Sequence, residues 1–208
     1  MKVPAKLKLK KINIKKKKTG IGIVISKKPT KRILLMVKDL LYLIPHSKLF
    51  KKKNFKLQDI ISYLKLHNFK NILFVKNEKK GSVFLWQLQL NLKISILYKI
   101  VYFLPKKNIL NNSSRSFHNP EIIFKNFKGN IGKSLCFLLK SLFSNYPDFK
   151  GRQVFSFFFF QKFIIFRFHR YIFSSTSKDV KLQEIGPRFT FLFYKMFKNI
   201  PKSFLGNF

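Results

Sequence analysis

Hydrophobic residues along the chain follow two spacings, one typical of strands and one typical of helices. Residues 20–26 form a short apolar run rich in Ile and Val, which predicts a buried strand. Pro29 and Thr30 then offer a helix start, and Pro45 ends the following apolar segment. The apolar positions expected on one face of this helix are Leu34, Val37, Leu40, Leu41 and Ile44. The chain is therefore expected to open with a strand followed by a helix.

A second helix and two further strands are predicted before residue 105. Helical spacing recurs at Leu57, Ile60, Ile61 and Leu64. After Asn68, residues 71–75 form an apolar run short enough for a strand, so this half is predicted as strand, helix, helix, strand. Apolar residues then alternate from Phe84 to Leu90, which predicts another strand, and residues 106–119 are expected to form a loop.

From Glu121 the order of elements partly repeats. An apolar strand reaches Phe124, and three strand-like runs lie near residues 152–158, 161–173 and 188–194. Between them, a helix is indicated by Leu135, Leu138, Leu139 and Leu142. We therefore predict an α/β (α+β) fold of two related halves. We expect residues 1–18 to be a basic tail, 19–194 the folded domain and 195–208 a short C-terminal extension.

The charge balance indicates a polyanionic partner. Lys and Arg number 44 against 7 Asp and Glu, a formal net charge of +37, which exceeds what solubility of a small domain needs. The hydrophobic fraction of 46% with 27 Phe is too apolar for a disordered basic chain, so a folded body is expected. Lysine so outnumbers arginine that we attribute part of the excess to an AT-rich genome. The six arginines therefore carry more information than the lysines.

Several classes of protein are disfavoured. Cys136 is the only cysteine, which excludes internal disulfides and a four-cysteine zinc site and fits a reducing intracellular compartment. The Phe-rich run over residues 154–173 is interrupted by Lys162, Arg167, His169 and Arg170, so no membrane span is expected. The lysine-rich opening lacks the apolar core of a signal peptide and fits a nuclear or nucleolar address.

Two glycine motifs resemble nucleotide sites only in part. Gly132-Lys133-Ser134 matches the end of a phosphate-binding loop, but Phe127 stands where that loop needs glycine. Gly20 and Gly22 lack the third glycine of a dinucleotide fingerprint. A turn or close strand packing accounts better for this pair.

Catalytic and metal chemistry are also not indicated. The four histidines are scattered without metal-ligand spacing, and the seven acidic residues form no paired cluster. We therefore expect no enzyme activity, no metal, no cofactor and no small-molecule substrate.

Three segments of the second half resemble the signature of Brix-domain proteins, in particular their ribosome production factor one branch. These segments are Gly151-Arg152-Gln153-Val154, residues 166–173 and residues 182–190. The resemblance extends, more weakly, over roughly residues 20–194. Two features depart from the family pattern. The family has a polar stretch where Phe158, Phe159 and Phe160 stand, and it has a Gly-Pro loop near residues 88–92 that this sequence lacks.

The resemblance implies both a fold and a function. Brix proteins have two halves similar to the anticodon-binding domain of class II aminoacyl-tRNA synthetases, and they act in ribosomal RNA processing and subunit assembly. We therefore expect a non-catalytic factor that binds precursor ribosomal RNA and pre-ribosomal particle proteins in the nucleolus, during large-subunit assembly. A Brix protein of the small-subunit processome and a structural ribosomal protein are the alternatives.

The candidate RNA-binding residues follow from the positions of the arginines. Four of the six lie between residues 152 and 188, and their planar guanidinium groups can grip a phosphate in two bonds or stack on a base. A strand over 163–173 would place Arg167 and His169 on one face and Arg170 on the other. Pairing with Glu184 or Asp179 inside the protein is the structural alternative, and for Arg188 both interpretations stay open. The candidates are Arg152, Arg167, His169, Arg170, Arg188, Lys15, Lys16, Lys17 and Lys18.

Overall fold

A computed structural model describes residues 20–52, 54–77, 81–144, 146–173 and 179–198. The first half consists of β1 (Gly20–Ile25), α1 (Lys31–Leu43), β2 (Ser47–Lys51), α2 (Leu57–Leu66), β3 (Phe69–Asn77), β4 (Val83–Gln89) and β5 (Ile94–Leu104). The second half consists of β6 (Glu121–Lys125), α3 (Gly129–Lys140), β7 (Gln153–Phe160), β8 (Phe163–Phe173), β9 (Val180–Glu184) and β10 (Arg188–Lys198). The expected basic tail lies outside the described residues.

The strands form one sheet whose two halves repeat a pattern. Its order is β2-β1-β3-β4-β5-β10-β8-β7-β6, with β9 paired to β8. In the first half β1 runs parallel to β3, and β4 and β5 follow antiparallel. In the second half β6 runs parallel to β7, and β8 and β10 follow antiparallel. The predicted α/β class is confirmed, and the halves join through the antiparallel pairing of β5 with β10.

Helix α1 begins where the sequence predicts, and its buried face matches the expected one in part. The Thr30 hydroxyl accepts a hydrogen bond from the Ile33 amide at 3.4 Å and caps the helix. Leu34, expected in the core, is 44% exposed, whereas Ile33 and Met36 are fully buried. Three of the five expected positions, Val37, Leu40 and Ile44, are buried, so the expected face was wrong at Leu34 and omitted Ile33 and Met36. Apolar residues on this helix form two overlapping stripes, one through Leu34 and one through Ile33 and Met36. Contact with the sheet decides which stripe is buried.

Three strands, β2, β5 and β9, were missing from the predicted order. β5 lies in the sequence after Leu90, where the apolar pattern did not indicate a separate strand. β2 pairs in parallel with β1 alone, and β9 pairs antiparallel with β8 alone. Both are short and mostly exposed, so their sequences lack the apolar run of a buried strand. Their backbone hydrogen bonds come from a neighbour distant in sequence, which a local pattern does not show.

The helices divide unequally between the two faces of the sheet. α1 and α3 pack on one face, in a core that includes Ile23, Leu135 and Phe168. α2 packs on the opposite face, over strands of the first half, where its own Leu64 and Trp86 of β4 are fully buried. Within the described part of the chain, no helix is long and apolar enough to cross a membrane.

The glycines of the two incomplete nucleotide motifs serve packing. A Cβ on Gly22 would lie 3.0 Å from Leu64 Cδ1, so glycine lets α2 approach β1. A Cβ on Gly132 would lie 2.6 Å from the carbonyl carbon of Phe127, so glycine lets α3 fold back on the segment before it. A Cβ on Gly20 would lie 2.7 Å from Cε1 of Phe69 in the neighbouring strand β3. Of the two explanations, a turn or close strand packing, the structure therefore supports close packing.

Buried amides join the two halves. Gln87 of β4 is 1% exposed and donates from Nε2 to the carbonyl of Leu138 in α3 at 2.7 Å. Asn71 of β3 donates to the carbonyl of Ser141 at 3.1 Å, just beyond the end of α3. Since a buried amide without a partner costs about 1–3 kcal/mol, these bonds fix the register between the halves.

Candidate nucleic-acid interface

One face of the sheet carries no helix of the described residues over the second half of the molecule. α1 and α3 lie on the other side, and α2 covers only strands of the first half. We call this surface the open face. Its positions follow from strand register and are Lys99, Tyr102, Leu104, Glu121, Ile123, Lys125, Val154, Ser156, Phe158, Phe160, Phe163, Ile165, Arg167, His169, Tyr171, Phe173, Val180, Leu182, Glu184, Arg188, Thr190 and Leu192.

Cross-strand rows place basic groups at the centre of the open face and aromatic rings beside them. Arg167 pairs with Ser156, and Arg188 lies next to Arg167 because Phe189 pairs with Phe166. His169 lies between Glu184 and Val154 in the next row. A flanking row runs across the sheet through Tyr102, Thr190, Ile165, Phe158 and Lys125.

Arg167 is held against the sheet by backbone carbonyls. Its Nη1 donates to the carbonyl of Phe166 at 2.8 Å and, more weakly, to that of Phe189 at 3.4 Å. Burial lowers the pKa of Arg167, and the neighbouring Arg188 lowers it further. The guanidinium is thus fixed in place beside a second cation, an arrangement that an anionic ligand stabilises.

Arg188 has a carboxylate partner within the protein. Its Nε and Nη2 donate to the two oxygens of Glu184 at 2.8 and 2.7 Å. This bidentate hydrogen bond lowers the pKa of Glu184 and raises that of Arg188. The structural alternative considered for Arg188 is therefore realised, and the pair lies on the open face.

His169 and Tyr171 follow Arg167 on the same side of β8, as the strand prediction requires. Burial lowers the pKa of His169, Glu184 partly opposes this shift, and Arg167 and Arg188 add to it, so the fold favours the neutral imidazole. The Tyr171 hydroxyl donates to Glu121 Oε2 at 2.7 Å. Burial and then this hydrogen bond raise the pKa of Tyr171 to about 12.

Arg152 lies at the edge of the open face. It is exposed and has a positive φ of 50°, and its carbonyl accepts a hydrogen bond from the Tyr171 amide at 2.9 Å. Its guanidinium carbon is 5.2 Å from the ring centroid of Phe173. The left-handed backbone at Arg152 thus turns the side chain toward the end of β8.

Arg170 lies apart from the other candidates. It is on the side of β8 that faces the core, and its Nη2 donates to the carbonyl of Ser114 at 2.7 Å. It therefore anchors the segment that joins the two halves. The structure brings Arg167, His169 and Arg188 together, places Arg152 at the edge of the same face beside Phe173, and separates Arg170 from them. Lys15, Lys16, Lys17 and Lys18 lie outside the described residues.

Two residues, Arg115 and Tyr102, have positions in the structure that the sequence did not predict. Arg115 was not singled out, yet it donates to the carbonyls of Tyr42 and Leu43 at the end of α1, and its burial lowers its pKa. Tyr102 was not placed near Arg167, because the pairing of β5 with β10 brings together strands far apart in sequence. No local signal marks either role.

The described residues contain no group of three or more metal-ligating side chains. His118 Nδ1 and Asp148 Oδ2 lie 2.6 Å apart, and this hydrogen bond is the first cause of a lowered pKa of Asp148. The pair holds the turn before β7 and has no third ligand beside it among these residues.

Comparison with known proteins reveals related sequences. The Brix domain family model matches residues 26–195. Ribosome production factor 1 of Saccharomyces cerevisiae is 32% identical over 152 residues, which are 73% of this chain and 51% of that protein. Ribosome production factor 1 of Pongo abelii is 33% identical over 171 residues, covering 82% of this chain and 49% of that protein. The chain spans about half the length of these curated relatives.

A solved structure shares the fold. The crystal structure of a probable ribosomal biogenesis protein from Aeropyrum pernix K1 matches with a TM-score of 0.60 at 10% sequence identity, covering 85% of this chain and 97% of that one. At that identity the likeness shows the fold alone. The family match takes in both halves of the sheet, from the end of β1 to within β10. The chain therefore belongs to the Brix domain family.

Proposed function

We propose that the protein is a ribosome biogenesis factor that binds precursor ribosomal RNA on its open face during assembly of the large ribosomal subunit. It acts in the nucleus and nucleolus, beside other proteins of the pre-ribosomal particle, and catalyses no reaction. The names of the related ribosome production factors support the pathway. Their signature segments in this chain form the edge and centre of the open face.

The observation that carries this proposal is that Arg167 and Arg188 lie side by side, with Arg152 at the edge, on a surface that no described helix covers. The two acidic residues on the open face, Glu121 and Glu184, are already engaged by Tyr171 and Arg188. With a chain charge of +37, the cations far outnumber the carboxylates that could balance them. RNA phosphate supplies the missing counterions, and guanidinium groups bind it in two bonds.

Two other non-catalytic functions would use the same surface. A Brix protein of the small-subunit processome would copurify with small-subunit precursor RNA, whereas our proposal requires large-subunit precursors. A structural ribosomal protein would remain in mature, translating ribosomes, whereas an assembly factor would be absent from them. Sedimentation of cell extracts followed by RNA sequencing of the copurified particles separates these outcomes.

A charge-conserving substitution tests the site itself. Arg167→Lys keeps the net charge but loses the planar fork, so we expect it to weaken binding of the cognate precursor RNA by about 1–3 kcal/mol. The matched control replaces Lys15, Lys16, Lys17 and Lys18 with Arg, which should be nearly silent because nonspecific attraction depends chiefly on charge number. The measurement is the ratio of affinities for precursor and random RNA at fixed salt.

Folding and salt dependence complete this test. Thermal unfolding of Arg167→Lys must match the parent protein, since Arg167 also donates to Phe166 and Phe189. The affinity of the parent protein should fall steeply with salt as counterions are released. An unchanged RNA preference in folded Arg167→Lys would remove Arg167 from the site, and a flat salt response would contradict phosphate-dominated binding.

A further inference from the structure

The open face carries exposed aromatic rings on both sides of its arginines. Tyr102 is 43% exposed in the row that also contains Phe158. Phe173 is 54% exposed at the far end of β8, even with Arg152 over its ring. With a rise of about 3.3 Å per residue, Phe173 lies roughly 20 Å along β8 from Arg167. Rings are thus spread along a flat surface and are not gathered in one pocket.

Exposed rings on a basic surface favour one form of RNA over another. In a duplex the bases are stacked inside, and the outer surface presents phosphate and sugar, to which an aromatic ring adds little. In a single strand the unpaired bases can stack on aromatic side chains and on guanidinium planes. Lysines alone would suffice to bind a duplex. The open face instead combines arginines with aromatic rings, which suits a single strand.

The charges on this face argue for a nucleic acid over a protein strand or helix. Lys99 and Lys125 add to the arginines at its margins. Its carboxylates, Glu121 and Glu184, are held by Tyr171 and Arg188. A protein partner docked here would have to bury several unmatched cations, at a large desolvation cost.

We propose that the open face binds single-stranded RNA, with unpaired bases stacked on Tyr102 and Phe173 and phosphates held by Arg167 and Arg152. This inference rests on the proposed function, since it names the form of RNA that the same surface takes. It also gives Tyr102 and Phe173 a role in binding, which phosphate contacts by arginine alone do not.

The experiment compares two RNAs and a set of charge-neutral variants. The full chain is titrated with a short unstructured single-stranded RNA and with the same RNA annealed to its complement, at one salt concentration. Tyr102→Leu and Phe173→Leu should each weaken single-strand binding about tenfold and leave duplex binding and the salt slope unchanged. Tyr102→Phe, which keeps the ring, should retain the parent affinity.

Phe137→Leu is the matched control. Phe137 is 55% exposed, close to the value for Phe173, but lies on α3 at the opposite side of the sheet. It should alter neither affinity. Equal or tighter binding of the duplex by the parent protein, or equal losses in the Phe137 and Phe173 variants, would overturn the stacking inference and leave RNA binding intact. Failure to bind either RNA would overturn the proposed function as well.

Discussion

Replacing Glu184 by glutamine should lower stability and strengthen RNA binding at once. The two hydrogen bonds from Arg188 to Glu184 measure 2.8 and 2.7 Å, and the Glu184 side chain is only 16% exposed. In its degree of burial this ion pair is intermediate. An exposed ion pair contributes about 0.2–1 kcal/mol to stability, whereas disrupting a buried one costs about 3–5 kcal/mol. Because the amide introduced by Glu184→Gln retains one acceptor oxygen, we expect this substitution to cost about 1–2 kcal/mol.

The same substitution removes a negative charge from the open face, the proposed RNA-binding surface. A phosphate about 8 Å from the carboxylate is repelled in water by about 0.5 kcal/mol, which corresponds to roughly a twofold gain in affinity. In the variant the guanidinium of Arg188 is held less tightly within the protein and can bind the RNA, which adds to this gain in affinity. The effect should be largest at low salt, since charges farther apart than about 10 Å are screened at 0.1 M ionic strength.

The pH dependence follows from the direction of the pKa shift. Hydrogen bonding to Arg188 lowers the pKa of Glu184 in the folded protein. The ion pair therefore contributes fully above the unfolded-state pKa of about 4.3, and its contribution is lost as the pH falls through the lower folded-state pKa. Urea unfolding of parent and Glu184→Gln proteins should differ at neutral pH, begin to converge below about pH 4.3, and coincide only below the lowered folded-state pKa of Glu184.

Two measurements decide this prediction together. Urea denaturation gives the change in unfolding free energy, and RNA titration at fixed salt gives the change in affinity. A variant that folds as stably as the parent and binds RNA more weakly would refute the argument. It would mean that the ion pair presents Arg188 to RNA and does not compete with it.

Two further changes test the fold. The turn between β7 and β8 uses Gln161 and Lys162 at positive φ values of 46° and 69°, which suit Asn-Gly. Gln161→Asn with Lys162→Gly should therefore stabilise the protein by about 0.5–1 kcal/mol in urea unfolding, and a loss would contradict the turn geometry. Gln87→Leu should cost about 2–3 kcal/mol, because its amide bonds Leu138 and its oxygen faces the buried Tyr98 hydroxyl. Adding Tyr98→Phe should recover part of that loss, whereas additive losses would show that the two side chains are uncoupled.

The elements with strong local patterns were predictable from the sequence. The run over residues 71–75 became β3, and the spacing of Leu57, Ile61 and Leu64 became the buried side of α2. The signature segments led to the family that the comparisons confirm. These features depend on neighbours within a few residues, so a linear pattern contains the information they need.

The candidate site was predictable in part. Alternation along β8 correctly placed Arg167 and His169 on one side and Arg170 on the other. The sequence left open whether Arg188 binds RNA or pairs inside the protein, because Glu184 lies close to it in the chain and Gly186-Pro187 makes a turn between them. Only the folded chain shows that Nε and Nη2 of Arg188 both donate to the Glu184 carboxylate.

The sequence by itself determined the three helices, most of the strands, the basic character of the chain and the family. Only the tertiary structure decided that β5 pairs with β10, that β2 and β9 extend the sheet, and that no described helix covers the second half on one side. The physical reason is the range of the interactions. Helical and strand periodicity arises between near neighbours, whereas strand pairing and helix placement depend on contacts between residues far apart in the chain.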